Sequence, residues 1–440
     1  MERPVPVTPS LTRELLRLAV PALATLLAEP LLLLADTWIV GHLGTPQLAG
    51  LTIASTIIGV LVGLSIFLAY GTTATVSRRL GAGNRTGALS GGVDGMVLGA
   101  ILGTVLAATL LAGAPAVVGL FGASDAVAAH AVTYLRIVGF GLPALLVILA
   151  ATGVLRGLQD TRTPLVVVVT MNLANIGLNL ALVLGAGLGI GGAALGTAIS
   201  QWLGATVLAA VVLRGARAAG APLAFRPAGV LTAARDGSWL VLRTAALQAA
   251  LVVTTFTASG LGETALAAHQ VTASLWSTTA FALDALAIAA QAMVGLRLGA
   301  GDGVAARALT RRVVVWGAGF GAIVGVVILA ARPLLAVFFT PDAAVQALLA
   351  VTLVVLAAFA PVGGITFALD GVLIGAGDAR YLALAGAITT GLYAPLALTV
   401  HATSAGLGWL WVAYGGWITF RAGALWLRAR GESWMRLGES

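Results

Sequence analysis

Apolar runs recur along almost the whole of this sequence, and they constrain its fold more than any other feature. Residues 57–70, 95–119 and 343–362 are examples. Only 9 % of the residues are charged and 59 % are hydrophobic, whereas soluble chains average about 25 % charged residues. A helix of about 20 apolar residues crosses the hydrocarbon core of a bilayer. The sequence therefore predicts an all-α polytopic membrane protein.

Twelve segments are long and apolar enough to be transmembrane helices. They cover residues 14–39, 47–76, 88–112, 127–152, 163–184, 190–213, 237–258, 265–294, 306–330, 344–371, 381–400 and 407–427. All 24 basic residues are arginine, and only Arg136 and Arg332 fall outside the termini and one set of alternate loops. Cytoplasmic loops carry the excess of basic residues in membrane proteins. We therefore expect a multi-pass protein of the plasma membrane, embedded in the lipid bilayer, with both termini cytoplasmic.

An internal repeat is the second strong signal. The sequence VSRRLGAG at residues 76–83 returns as VGLRLGAG at 294–301. With the same separation, GVLRG at 153–157 returns as GVLIG at 371–375. Because each copy holds six spans, an even number, both copies have the same orientation in the membrane.

The repeat predicts the architecture of the chain. We expect two six-helix bundles, residues 1–213 and 237–440, related by a pseudo-two-fold axis along the membrane normal. The arginine-rich residues 214–236 form a cytoplasmic linker between them. Small side chains let membrane helices approach closely, so the 57 glycines indicate tight helix packing.

The first span carries polar residues at membrane depth. Glu29 and Asp36 are seven residues apart, so they share one face of a helix. A charge at this depth costs about 2.5–3.5 kcal/mol on insertion scales, and by default it marks an ion or substrate pathway. Pro21 and Pro30 each remove a backbone donor, which predicts a bent helix. The alternative is that a carboxylate merely reaches the headgroups.

An amide stripe lies on the fifth span. Asn172, Asn175 and Asn179 are spaced by three and four residues, which places them on one helical face. The second half has no equivalent, because the repeat aligns Asp36 with Thr254 and the three amides with Thr390, Tyr393 and Ala397. Asparagine side chains also commonly form hydrogen bonds between membrane helices, each stabilising the packing by about 1 kcal/mol. A purely structural role for the three amides is therefore the alternative.

The second half has carboxylates of its own. Asp284 is followed two turns later by Gln291, and Asp370 aligns with Thr152 of the first half. These four residues are candidates for lining a substrate cavity. A polar network satisfied within the bundle is the alternative. Arg243 lies close to a span end, where we expect it to snorkel to the membrane interface.

Several classes of function are excluded by what the sequence lacks. There is no cysteine, and the four histidines are scattered without metal-ligand spacing, so we expect no metal site and no cofactor. There is no P-loop, nucleophile elbow or HExxH motif, so we do not expect an enzyme. No basic tract is interleaved with aromatic residues, so a nucleic-acid partner is not expected.

Several short motifs resemble those of the multidrug and toxic compound extrusion (MATE) transporters, and in particular their DinF-like branch. They are Glu29-Pro30, Asp36-Thr37, RGLQDT at 156–161 and AHQ at 268–270. The resemblance covers nearly the whole chain. It implies two six-helix lobes around a cavity, alternating access, and export of small organic compounds, often cationic, driven by H⁺ or Na⁺.

The resemblance also assigns roles to single residues. It implies cation or proton coupling at Asp36, Tyr134, Asn175, Asn179 and Thr197, with Pro21 as the bending proline. Where the family has an acid, this sequence has the amide of Asn179. That change removes a negative ligand and favours proton coupling through Asp36 over Na⁺ coupling.

The sequence thus predicts a secondary antiporter that works as a monomer. Its substrate cavity is expected to include Glu29, Thr152, Asn172, Asp284, Gln291 and Asp370. One alternative is a flippase for lipid-linked precursors, which would need a more basic cavity. The other is a membrane scaffold without transport activity, which has no evident need for Asp36.

Overall fold

The computed structural model describes residues 9–438, and within them the side chains of Pro9, Ser10 and Glu29 lie outside the described part. This part of the chain holds fourteen α-helices, one π-helical turn and no β-strand. The α-helices are α1 (Pro9–Gly41), α2 (Thr45–Ser65), α3 (Phe67–Gly81), α4 (Arg85–Gly119), α5 (Asp125–Gly139), α6 (Leu142–Gly157), α7 (Arg162–Asn179), α8 (Gly189–Ala218), α9 (Pro227–Gly260), α10 (Glu263–Gly299), α11 (Gly303–Phe339), α12 (Ala343–Gly375), α13 (Ala379–Thr403) and α14 (Leu407–Arg430).

These helices account for the twelve predicted spans. Ten helical segments of the described chain are long and apolar enough to cross a membrane, counting α2 and α3 as the single segment Thr45–Gly81. The pair α5 and α6 passes the same test together, and α14 occupies the predicted twelfth span. The all-α, polytopic fold expected from the sequence is therefore confirmed.

The predicted fourth span is broken rather than straight. Helices α5 and α6 meet at an angle of 53°, where Gly141 directly precedes α6 and Pro143 is the second residue of α6. Proline lacks the backbone N–H that would continue the helix, so the carbonyl groups before it need other donors. One such donor is Trp202 on α8, whose Nε1 lies 3.0 Å from the carbonyl oxygen of Phe140.

The chain forms two compact units, each with its own core. One unit comprises Val20–Gly237, and the other takes in the chain from Ser238 together with α1 as far as Ala19. The predicted linker falls in the first of these units, where Arg226 forms an ion pair with the buried Asp94 of α4. The boundary between the two compact units thus lies inside α9. The division into two membrane lobes that end at residue 213 and begin at residue 237 stays a prediction.

Glycine brings helices of the second unit into backbone contact. A Cβ atom added to Gly364 on α12 would lie 1.9 Å from the carbonyl oxygen of Gly317 on α11, and one added to Gly317 would lie 2.4 Å from the oxygen of Gly364. No real Cβ approaches an oxygen so closely. Only the hydrogen atom of a glycine fits at either position, so the two helices pack as tightly here as the glycine content predicts.

Candidate functional site

Asp36 is the centre of a buried polar cluster in the first unit. Its side chain is 6 % exposed, near the C-terminal end of α1. Nδ2 of Asn179, the last residue of α7, donates to Asp36 Oδ1 over 2.6 Å. Asp36 forms no salt bridge in the described part of the chain. A carboxylate buried among neutral groups has lost hydration without gaining a counter-ion.

The other predicted coupling residues surround this pair. Asn179 Nδ2 also lies 3.0 Å from Asn175 Oδ1, one turn earlier on α7. Thr197 of α8 lies 3.1 Å from the Asn175 amide and hydrogen-bonds the hydroxyl of Tyr134, on α5. Four helices therefore bring together all five residues that the resemblance assigned to coupling.

The Asn175 amide links Asp36 to Thr197. With its nitrogen facing the acid, the nitrogen lies 3.2 Å from Asp36 Oδ1, and the oxygen accepts from the Thr197 backbone N–H over 3.2 Å and from its hydroxyl over 3.1 Å. An amide carries both a donor and an acceptor, and this orientation uses both. Asn175 and Asn179 thus place two neutral amides beside the Asp36 carboxyl group.

Two features of this cluster give no clear signal in the sequence. The chain continues from Asn179 into a π-helical turn, Leu180–Gly185, and such widened turns occur frequently at functional sites. Gly196 of α8 faces the Asn179 side chain, and a Cβ at that position would lie 2.0 Å from Asn179 Oδ1. Gly196 therefore leaves the room that the amide occupies.

The remaining candidates of the first half lie outside this hydrogen-bonded group. Asn172 Nδ2 donates to the backbone oxygen of Ala28 over 3.0 Å, which ties α7 to α1. Pro21 and Pro30 are inside α1, as predicted. Thr152 is buried on α6. Glu29 lies in α1, and its side chain is outside the described part.

The carboxylate of Asp370 is in a different environment from that of Asp36. It is 2 % exposed on α12 and pairs with two guanidinium groups, those of Arg243 from α9 and Arg421 from α14. Arg243 Nε lies 3.3 Å from Asp370 Oδ1, and Nη2 of both arginines contacts Oδ2. The expectation that Arg243 snorkels to the interface is wrong, because Asp370 supplies a buried partner for it.

The other two candidates of the second half lie on α10. Gln291 is buried and Asp284 is half-buried. The position aligned with Asp36, Thr254, lies with its hydroxyl oxygen 2.6 Å from the hydroxyl of Tyr393, which aligns with Asn175. In both units the side chains at these two aligned positions are within hydrogen-bond distance of each other. Only the first unit has an acid at one of them.

Comparison with known proteins identifies the family of the chain. The MatE family model matches residues 21–181 and again residues 240–399, more than half of the chain. The chain belongs to the MatE family. The double match also reproduces the internal repeat.

Curated relatives of this MatE chain come from plants and bacteria. Protein DETOXIFICATION 44, chloroplastic, of Arabidopsis thaliana is 29 % identical over 450 residues, covering 99 % of this chain and 86 % of the relative. DNA damage-inducible protein F of Escherichia coli strain K12 is 31 % identical over 313 residues, covering 66 % of this chain and 64 % of that protein. The second match agrees with the DinF-like branch.

Solved structures share the fold of this MatE chain. The Vibrio cholerae MATE transporter VcmN in its bent form superposes with a TM-score of 0.88 at 24 % identity, covering 97 % of each chain. A MOP superfamily transporter from Pyrococcus furiosus gives a TM-score of 0.86 at 20 % identity, covering 96 % of this chain and 95 % of the other. The fold is thus that of the MATE transporters, with twelve transmembrane helices in two bundles.

Proposed function

We propose that this MatE protein exports small organic compounds in exchange for protons, with Asp36 as the proton carrier. The observation that carries the proposal is that Asp36 is buried, accepts a hydrogen bond from the neutral side chain of Asn179 and forms no salt bridge in the described part of the chain. An intramembrane carboxylate without a cationic partner is expensive when ionised, and protonation removes that cost. Uptake of a proton from outside and its release inside would then bias the protein between two conformations.

The amides around Asp36 support proton exchange. When Asp36 is ionised, Asn179 donates to it, as in the present geometry. When Asp36 is protonated, its hydroxyl becomes a donor, and an amide can turn to accept from it. The Asn175 amide nitrogen lies 3.2 Å from the same carboxyl oxygen. Asn175 and Asn179 would therefore tune the proton affinity of Asp36 without carrying charge themselves.

The prolines of α1 support a bending motion coupled to this proton. Pro21 and Pro30 each leave one carbonyl oxygen of the helix without its normal N–H donor. The hydroxyl of Thr25 contacts the carbonyl oxygen of Pro21 over 2.8 Å. Asp36 lies on the same helix as these prolines. A change in its charge would therefore act on a helix that lacks backbone hydrogen bonds at two places and can bend there. Alternating access would follow from a change in the bend.

Coupling to Na⁺ is the closest variant of this proposal. Sodium sites use several oxygen ligands, and carboxylates are the strongest of them. The cluster offers one carboxylate, at Asp36, with amide and hydroxyl groups around it. A single negative charge suits one proton better than a partly dehydrated Na⁺.

The proposal is tested in proteoliposomes that contain the purified protein. A pH gradient and a Na⁺ gradient are imposed separately, and export of a fluorescent organic cation is recorded. We expect export with the pH gradient alone. Export that needs Na⁺ instead would contradict the coupling ion, and no export under either gradient would favour a scaffold without transport activity.

One observation favours the flippase alternative. That function predicted a basic cavity, and Arg243 and Arg421 are both buried in the second unit. Both arginines pair with the carboxylate of Asp370. Export of a lipid-linked precursor is therefore the second candidate, and lipid scrambling by the same proteoliposomes would support it.

A further inference from the structure

One helix, α8, contacts both the buried polar cluster of the first unit and the break between α5 and α6. Thr197 of α8 hydrogen-bonds the hydroxyl of Tyr134 on α5, inside the cluster. Five residues later, Trp202 Nε1 donates to the carbonyl oxygen of Phe140, directly after α5, over 3.0 Å. At a rise of 1.5 Å per residue, these two contacts are about 8 Å apart along α8. The cluster and the break are therefore built on the same short stretch of one helix.

The break makes α5 dependent on its neighbours. Helix α5 has 15 residues and meets α6 at 53°. In a continuous helix the carbonyl group of Gly139 would accept from residue 143, but Pro143 has no N–H. The hydrogen-bond ladder of the span is thus interrupted directly after α5. Contacts with other helices must then hold α5 in place, and Trp202 supplies one of them.

Gly141 brings the break close to α8. A Cβ atom at this position would lie 3.2 Å from the Cα atom of Ala198 and would collide with the Gln201 side chain. A larger residue would therefore push α5 and α6 away from α8. Gly141 allows the close approach, and the indole N–H of Trp202 satisfies a carbonyl group at the same point.

The internal repeat shows that proline alone does not break this span. Pro143 aligns with Pro361 of the second half, and Pro361 lies inside the continuous helix α12. A proline at this position is thus compatible with an unbroken helix. Something other than proline must maintain the break in the first half.

The two halves differ at the partners of the break. Gly141 aligns with Phe359, and Trp202 aligns with Phe420. Phenylalanine has no hydrogen-bond donor in its side chain. The break and the indole donor therefore occur together, in the half of the chain that also holds the acid with amide neighbours.

We propose that Trp202 is a positioning residue for proton coupling. By holding the carbonyl group of Phe140, it fixes the end of α5 and keeps the Tyr134 hydroxyl on Thr197. A shift of α5 by about 1 Å would break that hydrogen bond. Thr197 in turn bonds the Asn175 amide, which adjoins the buried acid. The proposal rests on the proton-driven export argued above and adds to it a residue outside the polar cluster.

Export under a pH gradient by proteoliposomes tests the role of Trp202. Trp202→Phe keeps a ring and removes the N–H donor, and the side chain is 51 % exposed, so the core stays intact. Export should fall about two- to tenfold, the ratio expected for loss of one hydrogen bond. Trp409→Phe makes the same exchange at a 63 % exposed position of α14 and is the matched control. Export by Trp202→Phe at the wild-type rate would overturn the proposal.

A double-mutant cycle tests whether Trp202 acts through Tyr134. Tyr134→Phe removes the hydroxyl that meets Thr197 and should itself reduce export. If Trp202 positions that hydroxyl, adding Trp202→Phe to Tyr134→Phe should cause no further loss. A role in general stability would instead lower export by the same factor in both backgrounds. That result, or full export by Tyr134→Phe, would contradict the proposal.

Hydrogen exchange of the purified full-length proteins separates this proposal from the transport function, because it reports local opening without any transport. Trp202→Phe should speed the exchange of the α5 amides severalfold, and Trp409→Phe should not. If the wild type exports with a pH gradient but α5 exchange is unchanged in Trp202→Phe, the positioning proposal is wrong and the transport function stands. If α5 exchange rises but the wild type shows no pH-driven export, the transport function fails and the hold of Trp202 on α5 stands.

Discussion

Asn179 of α7 donates a hydrogen bond to Oδ1 of Asp36 on α1 over 2.6 Å. The buried carboxylate of the second unit, Asp370, accepts instead from Arg243 and Arg421. One acid is thus hydrogen-bonded by a neutral amide, whereas the other is paired with two arginines. The two halves of the repeat therefore surround their buried acids with groups of different charge.

Asp36→Asn should abolish pH-driven export, with a loss of at least about tenfold. The amide resembles the protonated carboxylate in shape, so the bundle should still fold, but it can neither bind nor release a proton. Export by proteoliposomes under a pH gradient measures the effect. Asp125→Asn, at the exposed start of α5, is the control for loss of one acid. Full export by Asp36→Asn at normal protein levels would refute the mechanism.

Asn179→Asp should introduce or strengthen dependence on Na⁺. The new carboxylate would lie beside Asp36, and two adjacent carboxylates either share a proton or bind a cation between them. Export measured with Na⁺ gradients at constant pH reports the change. The double variant Asp36→Asn with Asn179→Asp has one carboxylate again and should show no such dependence. Equal Na⁺ dependence in the single and double variants would contradict this reading.

The sequence singled out Asp36 and the amide stripe separately, and the resemblance to MATE transporters implied that they lie close together. The spacing of Asn172, Asn175 and Asn179 placed the amides on one helical face, and polar residues in apolar spans are few enough to single out. The resemblance to MATE transporters added Tyr134 and Thr197, which no pattern within the chain connects to Asp36. The structure brings these residues together through α1, α5, α7 and α8.

The environment of Asp370 could not be predicted in the same way. Arg243 and Arg421 lie near the ends of their spans, where arginine normally reaches the interface. Their burial depends on a carboxylate from a third helix, and sequence spacing does not show which helices are neighbours. The π-helical turn after Asn179 could not be predicted either, because tertiary packing rather than composition decides such local changes of helix geometry.

Asp370→Asn should destabilise the protein by about 3–5 kcal/mol, because it removes the carboxylate that two buried guanidinium groups contact. Thermal unfolding in detergent measures the loss as a lower Tm. The double variant Asp370→Asn with Arg421→Gln removes one positive charge and should recover part of the stability. A Tm equal to that of the wild type in the single variant would show that the triad is not an ionic structural element.

Both termini are expected in the cytoplasm, on the strength of the arginine distribution. The chain has no cysteine, so single-cysteine variants report cleanly on labelling. Ser440→Cys, beyond the described residues, should resist an impermeant maleimide on intact cells and react after lysis. Leu120→Cys, 85 % exposed between α4 and α5, lies in a predicted external loop and should react in both. Labelling of Ser440→Cys outside intact cells would overturn the topology.

Gly364→Ala should destabilise the second unit, because its new methyl group would lie 1.9 Å from the carbonyl oxygen of Gly317. The backbones of α11 and α12 would have to separate, and overpacking of this kind costs about 1–3 kcal/mol, occasionally more. Gly319→Ala is the matched control, since it adds the same group on α11 with nothing within 4 Å. Alanine also has the higher helix propensity, so Gly319→Ala should leave the Tm unchanged or raise it. Equal values of Tm for the two variants would mean that the contact between α11 and α12 is looser than the structure has it.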